Sequence, residues 1–298
     1  MSALLALAAG PLVAELAPEI GGSVARFYSR GGEELVHWMR PAGAAALAAR
    51  DPLAMASFPL LPFSNRIRNG RFHFGSTAVT LPRNFPGSPH AIHGDGWRLA
   101  WRVVAHSDAS ATLALEHPRG DWPFAYRAEQ HFALTPSAFE VTLAVTNIDE
   151  RPMPLGIGQH PYFPRTPGAV VRTSVEAMWE SDAELLPTRL ARNEVVAELA
   201  RGLRPEARFV DNNFTGWQGE ATVRWPETGH RLRLRAEPPL SYFVLYTPAG
   251  EDFFCMEPVS NCTDWLNLGH LDPKDVGGAV LAPGERLAGR MRLEPDYE

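Results

Sequence analysis

Polar and apolar residues alternate with a period of two along much of the chain. Phe139, Val141, Leu143 and Val145 are interleaved with Glu140, Thr142, Ala144 and Thr146, the pattern of a strand with one buried face. Leu287, Met291 and Leu293 share one side of a second segment, with Arg286, Arg290 and Arg292 on the other. Leu232 and Leu234 alternate with Arg231, Arg233 and Arg235, and Tyr126, Phe132 and Leu134 oppose Arg127, Glu129 and His131. Residues 241–247 and 252–257 flank Pro248, Ala249, Gly250 and Glu251, which predicts a hairpin with a short glycine-containing loop. Helical spacing occurs once, in Val195, Val196, Leu199 and Leu203 behind Asn193 as a cap. The 27 prolines and 25 glycines punctuate the chain at short intervals, as many short strands require. There is no internal repeat and no shift in composition. The pattern predicts an all-β protein, a large antiparallel β-sandwich, with residues 1–298 forming one domain.

Composition narrows the function. The 298 residues carry a formal net charge of −6, which argues against duplex nucleic acid as a partner, because counterion release needs clustered cations. With 45% hydrophobic residues, the chain can bury a sizeable core without staples. Cys255 and Cys262 are the two cysteines, too few for a disulfide framework, which points to a reducing compartment. Lys274 is the single lysine, within Asp272, Pro273, Lys274 and Asp275, a poor setting for Schiff-base chemistry. No run of about 18 apolar residues is present to span a membrane. Met1 to Gly10 is apolar but has no basic start, and Glu15 and Glu19 follow Pro11, so a signal peptide is not expected and a cytoplasmic location is.

Four places set polar residues where strands normally end in apolar ones. Phe58 to Phe63 runs into Asn65 and Arg66, groups able to hold hydroxyls or an anionic oxygen. His90 and His93 precede Gly94, Asp95, Gly96 and Trp97. Their spacing of three would chelate a metal only on a helix, which Pro89 and the glycines oppose, so no metal is expected. The glycines beside His93 suit close approach of a ligand, and Trp97 could cover an apolar sugar face. On a strand, Gly156, Gly158, His160 and Tyr162 fall on one face, with the glycines clearing room for a ligand beside a proton donor. Glu257 ends the run Phe253, Phe254, Cys255, Met256, apolar walls that should raise its pKa as a general base or acid requires. Asp211, before Asn212 and Asn213, is a weaker candidate in what reads as turn chemistry.

Taken in order, Asn65-Arg66, His93-Gly94, His160-Pro161-Tyr162-Phe163, Asp211-Asn212-Asn213-Phe214 and Glu257-Pro258 resemble the aldose 1-epimerase (galactose mutarotase) family. The resemblance runs from Ala17 to Glu285, nearly the whole chain. It implies a galactose mutarotase-like β-sandwich and catalysis with no cofactor. It also implies Glu257 as general base, His160 as general acid, and Arg66, His93 and Asp211 as sugar-binding residues. We expect Asn65, Tyr162 and Trp97 beside them. The expected partner is a small-molecule sugar, bound by a monomer or homodimer.

Exchanging α and β anomers requires a base at the C1 hydroxyl and an acid at the ring oxygen, each worth about 10²–10⁴-fold. An acidic rate limb from Glu257 and a basic limb from His160 are expected. A glycoside hydrolase using Glu257 and Asp211 is one rival, and a sugar-binding protein without catalysis is another. A hexose-phosphate epimerase, with Arg71, Arg83 or Arg98 on the phosphate, is a third.

Overall fold

The computed structural model describes residues 4–31 and 35–297. Two eight-stranded antiparallel sheets dominate it. The first runs in the order Arg102–His106, Ser110–His117, Tyr126–Thr135, Ala138–Asn147, Arg286–Tyr297, His230–Ala236, Glu220–Trp225 and Val170–Thr173. Each period-two segment read from the sequence is one of its strands. The inward residues Phe132, Phe139, Val141, Leu232, Leu234, Met291 and Leu293 are buried to within about a hundredth of their surface. Removing the Phe139 ring would cost about 3–5 kcal/mol through lost burial and the cavity left behind. The outward residues form cross-strand ion pairs. Arg292 pairs with Glu140, its register partner, and with Glu294, and Arg235 meets Glu220 at 3.1 Å.

The second sheet contains Pro187–Ala191, Ala177–Ser181, Asp211–Thr215, Tyr242–Tyr246, Phe253–Val259, Gly158–Gln159 and Pro59–Leu60, with Tyr162–Pro164 also paired to Phe253–Val259. The expected hairpin joins Tyr242–Tyr246 to Phe253–Val259. Both faces of this sheet are covered. Phe214, Phe243, Leu245, Phe254 and Met256 pack into the main core, while Tyr162, Tyr242, Val244, Cys255 and Val259 face a second cluster closed by Phe58, Leu60 and Trp97. A strand covered on both sides loses the alternation of a half-exposed one, which is why Phe253 to Met256 reads as a continuous apolar run.

The N-terminal strands Leu5–Ala9, Leu12–Ala17, Ser23–Ser29 and Val36–His37 make a smaller sheet. Of the apolar start, residues 1–3 lie outside the described residues, and Leu5–Ala9 pairs as a strand with Leu12–Ala17. Asn193 caps the helix Glu194–Arg201, its side chain accepting from the N–H groups of Val195 and Val196. Two shorter helices were not anticipated. Ala44–Ala49 has no side-chain cap to announce it. Pro273–Val276 starts at Asp272, whose side chain accepts from Lys274 N–H, so the Asp-Pro-Lys-Asp stretch is a capped helical turn. No helix among the described residues is long and apolar enough to cross a membrane.

Candidate active site

Strand register brings the candidate acid and base together. Gly158 pairs with Val259 and Tyr162 with Cys255, so His160, midway, stands opposite Glu257. Alternation sends Phe254 and Met256 into the core and leaves Cys255 and Glu257 on the other face. His160 Nε2 lies 3.4 Å from Glu257 Oε1. Across the next strands Tyr246 is opposite Cys255, and Asp211 is opposite Tyr246. Tyr162, Cys255, Tyr246 and Asp211 thus form one row over four strands, with His160 and Glu257 in the adjacent row.

A short ladder supplies the facing wall. Arg66–Ile67 pairs with Ala91–Ile92, Arg66 opposite Ile92. Asn65 and His93, just beyond the ladder, both take left-handed backbone angles, φ 60° and 62°, and hold each other there. Asn65 N–H donates to His93 Nδ1 at 3.0 Å, and His93 N–H donates to Asn65 O at 2.9 Å. Because Nδ1 accepts, the ring proton sits on Nε2 and His93 presents a donor. Asn84 fixes the same turn from behind. Its Oδ1 accepts from Ile92 N–H at 2.8 Å, and its Nδ2 donates to Ile92 O and Gly94 O at 2.8 and 2.7 Å.

These walls line a cleft formed by His160, Glu257, Asn65, Arg66, His93, Tyr162 and Asp211, together with Leu53, Phe85, Ile92 and Tyr246. Arg66 Nη2 donates to Asp211 Oδ2 at 3.0 Å and Nη1 to Asn65 Oδ1 at 3.0 Å. The Phe58 and Tyr162 rings both pack against the His160 ring, at centroid distances of 4.6 and 4.7 Å, and lie 6.0 Å from each other. Behind Tyr162, Arg40 stacks at 3.9 Å and donates to Leu53 O and Met55 O, which pins Leu53 at the mouth.

Electrostatics invert one expectation. Burial, then the charge of Arg40, depresses His160 to about 3, against a backbone hydrogen bond that raises it. Burial, then the Asp211 carboxylate, raises Glu257 well above the usual carboxylate range, with Arg66 opposing. Burial, His160 and Arg66 all lower His93, keeping it neutral. The raised Glu257 agrees with its sequence setting. The limb order does not: the imidazole gives up its proton at lower pH than the carboxyl, because two buried groups both resist charge.

Other expectations are corrected. Trp97 does not line the cleft: its Nε1 donates to Gly94 O at 3.0 Å and its ring packs on Phe58 at 5.3 Å, so it supports the His93 turn from inside. The glycines make room for protein and not for a ligand. A Cβ on Gly156 or Gly158 would strike Asn261 or Val259, and one on Gly94 or Gly96 would strike Leu61. His90 is turned away, accepting from Asn69 N–H at Nδ1. Arg71, Arg83 and Arg98 are not on the cleft wall, and Arg98 lines a separate hollow with Asp95 and Asp121. Sequence reasoning missed Tyr246, Leu53, Phe85, Ile92 and Asn84. The hairpin register, Tyr246 against Cys255, was the available signal for Tyr246; the others sit on or beside loops whose path no local pattern fixes.

An aldose 1-epimerase family model matches residues 9–294. The uncharacterized protein YphB of Escherichia coli K12 is 35% identical over 255 residues, covering 80% of this chain and 83% of YphB. The crystal structure of a galactose mutarotase-like protein from Clostridium acetobutylicum superposes with a TM-score of 0.87 at 20% identity, over 98% of this chain and 95% of that one. A galactose 1-epimerase from Lactobacillus acidophilus gives 0.76 at 16% identity, over 97% and 92%. At those identities the two crystal structures speak to the fold, and the fold is galactose mutarotase-like. With the family model matched over residues 9–294, the chain belongs to the aldose 1-epimerase family.

Proposed function

We propose that the protein interconverts the α and β anomers of a free, uncharged aldose by general acid–base ring opening. The observation that carries this reading is the imidazole and carboxyl facing each other at 3.4 Å on the floor of a cleft. Together the two groups hold one proton. Burial favours imidazole beside carboxylic acid, and moving the proton from Oε1 to Nε2 gives the working form, imidazolium beside carboxylate. Glu257 then takes the proton from the C1 hydroxyl while His160 gives one to the ring oxygen. The C1–O5 bond breaks, the aldehyde turns about C1–C2, and closure on its other face reverses both transfers. The Nε2–H of His93 and the guanidinium of Arg66 are available to oxygens whose charge changes, and Asp211 to vicinal hydroxyls.

The cleft wall favours a neutral sugar over a phosphorylated one. Among the described residues lining it, Arg66 is the one cation, and Asp211 already neutralises it. A phosphate monoester would bring nearly two negative charges to a wall whose one cation among the described residues is already paired. The ion pair equally removes Asp211 from the role a second hydrolytic carboxylate would need. Exchange NMR across glucose, galactose, arabinose and a hexose 6-phosphate tests the proposal. Acceleration of at least one neutral aldose is expected and none of the phosphate. Rates equal to the buffer blank for every sugar would overturn it.

A further inference from the structure

Cys255 has no task in this chemistry, yet its place is specific. It lies two residues before Glu257 on the same strand face, 0% exposed, between its register partners Tyr162 and Tyr246, both of which line the cleft. The ligand atoms of His160, Cys255 and Glu257 all lie within 4.8 Å of one another. His160 Nε2 meets Glu257 Oε1 at 3.4 Å without an aligned hydrogen bond, so that nitrogen can turn its lone pair to an ion. Imidazole, thiolate and carboxylate are the donors of zinc sites that keep a fourth position open. Donors held about 2.0–2.3 Å from a tetrahedral ion stand roughly 3.3–3.8 Å apart. An inward shift of about 1 Å would close the set on an ion entering through the cleft.

We propose that His160, Cys255 and Glu257 bind a thiophilic divalent cation such as Zn²⁺ or Co²⁺, and that the bound ion silences the cleft by taking the acid–base pair as ligands. Nitrogen and sulfur donors select such ions over Mg²⁺ and Ca²⁺, which prefer all-oxygen sites. The fourth coordination position faces the sugar space, because His160 and Glu257 line it, so ion and sugar exclude each other. The inhibition rests on the acid–base reading above, whereas the binding does not.

Cobalt spectroscopy and zinc calorimetry on the chelator-treated full chain test this. One equivalent of Co²⁺ should produce a thiolate-to-cobalt charge-transfer band in the near ultraviolet, displaced by Zn²⁺ and unaffected by excess Mg²⁺. Cys255→Ala should abolish the band and weaken Zn²⁺ binding more than about tenfold, exceeding the least that losing even an outer partner of a ligand costs. The variant should keep anomer exchange within about threefold of wild type while escaping Zn²⁺ inhibition. Should Cys255→Ala fold poorly, Cys255→Ser and the wild-type spectrum decide, since a serine oxygen gives no such band. Absence of the band in wild type, or equal Zn²⁺ affinity with and without the thiol, overturns the proposal. A cobalt band in a protein that exchanges no sugar leaves the metal site standing and removes the epimerase reading. Exchange without the band does the reverse.

Discussion

Glu257→Gln separates proton transfer from binding and from folding. Glutamine keeps the length of the side chain and one carbonyl oxygen, so it fits a position with 2% exposure, but at neutral pH it neither takes nor returns a proton. If Glu257 is the base, the turnover rate falls at least 10²-fold, the lower end of general-base catalysis, equivalent to about 2.7 kcal/mol on the barrier. KM should stay within about threefold, because the sugar contacts proposed for Arg66, His93 and Asp211 are untouched. Stability moves the other way. Folding raises the proton affinity of Glu257 above its ordinary value of 4.5. The wild type therefore has its full stability below that value and loses some as pH rises through the folded pKa. Glutamine carries no such dependence. The variant should melt at an equal or higher temperature than wild type at pH 8, with the gap closing by pH 4. Saturation-transfer NMR of the preferred aldose measures the rate, and thermal melts at the two pH values measure the rest. A variant that is well folded and retains more than a tenth of wild-type turnover would falsify the base assignment.

Three further outcomes are expected. His160 should titrate near 3 and remain neutral between pH 5 and 8, so its imidazole carbon-proton resonances should not shift across that range; a midpoint near 6.5 would contradict the burial argument. Asp211→Asn removes the charge from the 3.0 Å contact with Arg66 and should raise KM about 10–150-fold with kcat within about threefold, as loss of a charge-assisted hydrogen bond of about 1.5–3 kcal/mol predicts. A dominant fall in kcat would instead make Asp211 part of the chemistry. Asp149, whose side chain is 0% exposed, accepts from Arg119, from Arg151 and from the Ala125 N–H, and the Arg119 hydrogen bond leads in holding its pKa below 3.8. Its contribution is present above that value and is lost as pH falls through the folded pKa, which lies well below it, so Asp149→Asn should cost about 2–3 kcal/mol at pH 7 and progressively less as denaturant unfolding is carried from pH 4 down to pH 2.

The parts of the fold that were legible in the sequence are those with one wet face. The strands Tyr126–Thr135, Ala138–Asn147, His230–Ala236 and Arg286–Tyr297 declare themselves because arginines and glutamates alternate with core residues. The second sheet hides its geometry, since a strand apolar on both sides carries no phase. Which of Cys255, Met256 and Glu257 share a face follows from the period, but which face is the cleft depends on what Phe58 and Trp97 cover. Seven of the eight expected site residues line one cleft. The eighth, Trp97, was read as a sugar platform because an aromatic beside glycines looks the same whether the ring meets a ligand or Phe58. The glycines misled for a related reason: a missing Cβ shows that something comes close without showing what. The order of the two proton affinities was illegible, since it depends on burial from strands far apart in the chain.

The opposition of His160 and Glu257 depends on the pairing of two strand segments and not on the chain that joins them. Lengthening a connecting loop leaves the pair where it is, and each doubling of a flexible loop costs only about 0.6 kcal/mol. One extra residue between 158 and 162 has a different effect. It would turn His160 over to the side occupied by Phe254 and Met256 and bury an imidazole in the core. Insertions and deletions are therefore expected to be tolerated in the loops around the mouth, such as those bearing Leu53 and Phe85, and to disrupt the floor. Changes at the rim can thus alter what the cleft admits while His160 and Glu257 keep their places.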